Sequence, residues 1–129
     1  MKIDGALAAA RRGASNHRTA IKSLGEGWVG EEALAIGLYS AMVARSFPEA
    51  IAIAANHDGD SDSTASIAAQ LYGMRRGLSD LPHRWITRLD VKDVMLRQIR
   101  RTYFPSARGD ALDAASRQRW APGAAVKTP

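Results

Sequence analysis

Apolar residues return every three or four positions along several stretches of this chain, and no segment sustains the period-two alternation of a half-buried strand. The pattern predicts an all-α fold. Asp4 to Arg12 is Ala-rich and helix-prone, ending near Gly13, and Ser15 to Ser23 holds a second short helix. Three glycines within Leu24-Gly25-Glu26-Gly27-Trp28-Val29-Gly30 disfavour helix and strand interiors alike, so this stretch is a loop. Glu31 to Arg45 turns helical, with Leu34, Leu38 and Met42 as its apolar stripe beside Ala35 and Ile36.

The next helix starts on sharper signals. Ser46-Phe47-Pro48-Glu49 supplies a Ser cap, a Pro in the first turn and a Glu three residues after the cap, which together make a capping box. Ala50 to Asn56 is nearly all apolar and should be buried. A helix led in by Asp60 to Ser63 runs to about Arg76, carries Ile67, Leu71 and Met74 at helical spacing, and is closed by Gly77. Pro82 begins a short segment holding Trp85, Ile86 and Leu89. Asp90 then caps a last helix from Val91 to about Tyr103, striped by Val94, Met95 and Ile99. Met42, Met74 and Met95 read as core. Beyond Pro105 the periodicity stops, and residues 105–129 are expected to form a disordered tail.

Composition narrows the classes. At 129 residues and 46% hydrophobic content the chain suits one domain with an ordinary core. It has no Cys, which excludes disulfides, thiolate catalysis and Cys-ligated zinc. No apolar run approaches the ~18 residues of a membrane span and no leader pattern opens the chain, so no membrane association and a cytoplasmic location are expected. The net charge of +5 comes mostly from Arg, including Arg75, Arg76, Arg97, Arg100, Arg101, Arg108, Arg117 and Arg119. Charge alone allows a nucleic-acid contact through Arg97, Arg100 and Arg101. No aromatic residues alternate with the basic ones as a stacking platform needs, so solvated helix faces are expected instead of a nucleic-acid partner.

Chemistry concentrates in Asn56-His57-Asp58-Gly59-Asp60-Ser61-Asp62-Ser63-Thr64. Three carboxylates within five residues are costly to hold together unless water, a cation or a helix N-terminus compensates them. An EF-hand loop would use Asp58, Asp60 and Asp62 as its first, third and fifth positions, but Ser63 stands where Gly is needed and Ala69 where the bidentate Glu is needed. Two readings stay open. In one, Asp62 or Ser63 caps the helix and the other acids are solvated. In the other, Asp60, Asp62 and Ser63 give oxygens to a hard divalent cation, the two carboxylates reaching one side of an extended turn. His57 is a candidate ligand or proton shuttle, though an all-oxygen set argues against ligation. His17 and His83 read as surface residues, and Glu31 and Glu32 as acids favoured by a helix N-terminus.

Two motifs, in this order and separation, resemble the ADP-ribosylglycohydrolase family. The first is Leu24-Gly25-Glu26-Gly27-Trp28-Val29-Gly30-Glu31-Glu32-Ala33-Leu34-Ala35-Ile36, and the second runs from Asn56 to Thr64, followed by Ile67-Ala68 and Gly73. Leu81-Pro82 and Trp85 are similar to the family's ending. The resemblance, from about Leu24 to Leu96, implies an all-α hydrolase that cleaves the glycosidic bond between ADP-ribose and a modified protein or small molecule, using a pair of Mg²⁺ or Mn²⁺ ions. It implies Asp60, Asp62 and Ser63 as metal ligands, and Gly27 and Trp28 as contacts to ADP-ribose, against a core-plug reading of Trp28. The family's early Thr-Asp-Asp cluster and early catalytic acid have no counterpart here, since Asp4 is the one acid before the glycine loop. Residues 1–104 are therefore expected to be a partial domain, the C-terminal portion of such an enzyme, with no catalytic residue assigned. It would be inactive alone and would await a missing N-terminal half, self-associate, or serve as a non-catalytic interaction module.

Overall fold

The computed structural model describes residues 1–13 and 16–103, without the side chains of 100–103. Its elements are α1 (Lys2–Arg12), α2 (His17–Leu24), α3 (Gly30–Val43), α4 (Phe47–Ala55), α5 (Ser61–Arg76), a 3-10 turn (Leu78–Asp80), α6 (His83–Thr87) and α7 (Lys92–Tyr103). Among the described residues there is no strand, and the all-α expectation holds. The chain divides into two units, Met1–Leu81 and Pro82–Pro129. The expected disordered tail lies outside the described residues.

Local chemistry sets the helix ends. Asn16 caps α2 by accepting the Thr19 N–H at 3.2 Å, and Gly77, at φ 79°, closes α5. Ser46 caps α4 as expected, accepting the Glu49 N–H at 3.3 Å. The return half of the box is shifted by one residue: Glu49 accepts the N–H of Arg45, at 2.7 Å, while Oε1 pairs with the Arg45 guanidinium at 3.2 Å. Both contacts hold the Glu49 carboxyl below its ordinary range.

In the first unit α3 is central, packing on α1, α2, α4 and α5. Its buried residues are Ala33, Ala35, Ile36, Gly37, Tyr39, Ser40 and Ala41, while Leu34 and Met42 are exposed. The expected Leu34–Leu38–Met42 stripe is thus not the core face. Small residues win because they let neighbouring helices come close: a Cβ on Gly37 would run into Ile67 of α5, so the helices touch almost backbone to side chain. On α5 likewise Thr64, Ala68 and Tyr72 are buried, Ile67 and Leu71 half-buried, and Met74 exposed. On α4, Ala50, Ile53 and Ala54 are buried, but Ala52, Ala55 and Asn56 face solvent. The core reading of Met42, Met74 and Met95 fails at all three positions.

His17 is half-buried, its Nδ1 2.8 Å from the Tyr39 hydroxyl and its ring edge-on to Tyr39, so it is a core partner and not a surface residue. Arg75 stacks over the Tyr72 ring and donates to the α3-terminal carbonyls of Met42 and Ala44 at 3.4 Å. In the second unit, Val94, Met95 and Ile99 of α7 are about half exposed.

Candidate functional site

Asp60 stands at the mouth of α5. It is the N-cap, its Oδ1 accepting the Ser63 N–H at 3.4 Å, and Asp62 in the first turn accepts the same N–H at 3.0 Å. The helix begins at Ser61, earlier than a cap at Asp62 or Ser63 would allow, so that capping alternative is corrected to Asp60. The carboxylates of Asp60 and Asp62 meet because both fold over the helix N-terminus onto the same Ser63 N–H, not because an extended turn points them to one side.

Their proximity has an electrostatic signature. The Asp60 carboxyl is held below its usual range, first by a hydrogen bond with the Asp62 carboxyl, then by the Ser63 hydroxyl. Burial opposes the shift, and the Ser63 N–H and nearby His57 add to it. Two carboxyl groups and one hydroxyl thus converge, in a partly open position, on the positive end of a helix dipole. Asp58 takes no part in the cluster: it forms a two-pronged ion pair with Arg18, at 2.7 and 2.9 Å, with both side chains exposed.

His57 braces the turn from behind. Its Nδ1 accepts the Gly59 N–H at 3.1 Å, which leaves the proton on Nε2, 2.9 Å from Thr64 Oγ1. The fully buried Thr64 hydroxyl then donates to the Ala54 carbonyl at 2.8 Å, tying the end of α4 to the start of α5. Both ring nitrogens of His57 are engaged within the protein. Its role here is to shape the loop.

The glycine loop lies against this turn. The Asp60 N–H donates to the Glu26 carbonyl at 2.8 Å. Gly59 passes so close beneath that carbonyl that a Cβ would overlap it. Gly27 is buried at φ 86°, and a Cβ there would sit 2.9 Å from Thr64 Cγ2 and 3.6 Å from Asp60 Cβ. Two sequence motifs separated by a whole helical hairpin therefore meet at Asp60. Trp28 is 68% exposed and its Nε1 donates to Glu26 Oε2 at 3.2 Å, which overturns the core-plug reading.

Glu32 holds the loop, a larger part than that of an acid favoured by a helix N-terminus. Its Oε2 accepts the N–H groups of Glu26 at 3.1 Å and Gly27 at 3.2 Å, while Lys2 approaches Oε1 at 3.5 Å. These contacts, the Glu26 N–H foremost, hold its carboxyl below the ordinary value. The available signal was a Glu just downstream of a glycine-rich loop with several unpaired N–H groups to satisfy.

Hard divalent cations favour oxygen donors, and Asp60, Asp62 and Ser63 offer only these. The donor set fits such an ion but is partial: among the described residues no group of three or more His, Asp or Glu side chains is placed to hold a metal.

An all-α domain with a glycine loop keyed onto an oxygen-rich helix mouth is the class that fold and site define. The chain belongs to the ADP-ribosylglycohydrolase family, whose model matches residues 2–119. It is similar to ADP-ribosyl-[dinitrogen reductase] glycohydrolase of Rhodospirillum rubrum, with 34% identity over 64 residues, which are 50% of this chain and 21% of that protein. The chain thus spans about a fifth of the length of the curated relative it matches. No solved structure matches it. No described helix is long and apolar enough to cross a membrane.

Proposed function

We propose that this chain carries the late half of the active site of a cytoplasmic Mg²⁺- or Mn²⁺-dependent ADP-ribosylglycohydrolase, which hydrolyses the glycosidic bond of ADP-ribosylated proteins or small molecules. The observation that supports it is the meeting of the glycine loop and the acidic helix mouth at Asp60. Asp60, Asp62 and Ser63 would hold the cation, which when bound supplies Lewis-acid polarisation and an acidified water. The chain's own residues do the rest. Gly27 brings backbone close to the cation ligands, and Trp28 offers an exposed ring on which an adenine or ribose can lie.

Two carboxylates and a hydroxyl leave most of a six-coordinate shell to other donors. The chain alone is accordingly a weak metal binder without hydrolytic turnover, completed by donors beyond those described. Calorimetric titration of the purified chain with Mn²⁺, with and without ADP-ribose, tests the binding; assay of free ADP-ribose release from an ADP-ribosylated protein tests the turnover. Wild-type release abolished by Asp60→Ala would refute inactivity, whereas no Mn²⁺ heat at all would refute the metal site.

Exposed apolar side chains favour a second reading, a non-catalytic module or split-enzyme subunit that pairs with another chain or itself. Leu34, Met42 and Met74 are 43%, 36% and 84% exposed on the first unit. A strictly monomeric, non-associating chain by sedimentation would count against it.

A further inference from the structure

The acidic mouth of α5 is not positioned by its own helix alone. Four links run outward from it. The Asp60 N–H is held by the Glu26 carbonyl at 2.8 Å. The peptide N–H groups of Glu26 and Gly27, on either side of that carbonyl, are both held by one oxygen of Glu32. The other Glu32 oxygen faces the Lys2 ammonium at 3.5 Å, and the Lys2 N–H is held by Glu31 at 3.0 Å. Gly25 leaves the space in which the Glu32 carboxyl lies, since a Cβ on Gly25 would overlap it.

We propose that Glu32 is a positioning residue: through the Glu26 peptide it sets the height of the Asp60 backbone and so the spacing of the Asp60 and Asp62 carboxylates. Glu32 touches neither carboxylate and acts through the loop. A charged acceptor is suited to this, because a carboxylate binds peptide N–H groups about twice as strongly as a neutral carbonyl does. The two N–H groups otherwise have no helix to satisfy them, and they lie where the backbone turns back on itself through Gly25 at φ 129° and Gly27 at φ 86°. The consequence for cation binding rests on the reading given under Proposed function; the mechanical coupling does not.

The test is amide hydrogen exchange, read by NMR on the full chain without metal, followed by Mn²⁺ titration. Glu32→Ala should speed exchange of Glu26, Gly27 and also Asp60 by about tenfold or more, the scale of one lost charge-assisted hydrogen bond. Glu32→Gln keeps an oxygen that can accept both N–H groups but loses the charge, so it should fall between Glu32→Ala and wild type. Gly25→Ala, which displaces the carboxyl without removing it, should mimic Glu32→Ala. Glu49→Gln removes an equally paired carboxylate away from the loop and should leave Asp60 exchange unchanged. If Glu26 and Gly27 lose protection while Asp60 keeps it, or if Glu49→Gln speeds Asp60 equally, the coupling is overturned. Weakened Mn²⁺ binding in Glu32→Ala supports the functional consequence. Unchanged binding there refutes that consequence, and absence of binding in wild type refutes the metal reading while the exchange data still decide the coupling.

Discussion

Gly59 passes directly beneath the carbonyl of Glu26, with no room for a side chain between them. Gly59→Ala should therefore push the loop off the turn and cost about 1–3 kcal/mol, the range for overpacking a closed contact. Urea unfolding monitored by circular dichroism measures it. A midpoint equal to wild type would mean the two segments are not pressed together.

Thr64 links His57 and the Ala54 carbonyl from a fully buried position. Thr64→Val keeps the shape and removes the hydroxyl, stranding the Ala54 carbonyl and His57 Nε2. A loss of about 1–3 kcal/mol is expected. His57→Ala in the Thr64→Val background should then cost less than His57→Ala alone, since the pair acts as one unit.

Capping and metal binding separate by mutation. Asp60→Ala removes the N-cap and should cost about 1 kcal/mol, whereas Asp62→Ala should stay within about 0.5 kcal/mol. Both should abolish Mn²⁺ binding. If Asp62→Ala binds Mn²⁺ as wild type does, the cluster is a cap and nothing more.

Acid should weaken the fold in a defined direction. Glu32, Glu49 and Asp60 all have folded-state values below their ordinary ones, 4.5 for the two Glu and 3.8 for Asp60. A depressed carboxyl stabilises fully above its unfolded value and loses that contribution as pH falls through the folded one. Stability should be flat above the ordinary Glu value and decline below it, and Glu32→Gln plus Glu49→Gln should shallow the decline. Thermal melts across that range decide the matter.

Trp28→Ala should leave stability within about 0.5 kcal/mol, because the ring is exposed. It should nevertheless weaken ADP-ribose binding measured calorimetrically in the presence of Mn²⁺. An unchanged affinity would remove Trp28 from the ligand site.

The helices were largely legible because their signals are local. Ser46-Phe47-Pro48-Glu49 starts α4, Gly77 ends α5, and the three-glycine run is a loop, each for reasons contained within a turn of chain. The buried faces were not. Leu34 and Met42 carry more hydrophobicity than Gly37 or Ala41, but α3 buries the small residues, because close approach to several neighbours outweighs the transfer energy of two larger side chains left exposed. The half-buried position of His17 is likewise invisible locally, since its partner Tyr39 lies on another helix.

By itself the sequence determined the helical class, the family motifs and the oxygen-only chemistry of residues 60–63, since these depend on residue type and short spacing. Only the tertiary structure decided that Asp60 is the cap, that Trp28 is exposed, and that the Glu26 carbonyl joins the two motifs at the Asp60 N–H, with Glu32 bracing one segment and Thr64 the other. The link between Glu26 and Asp60 joins segments distant in the chain, and a linear pattern carries no record of which unpaired N–H will find which acceptor.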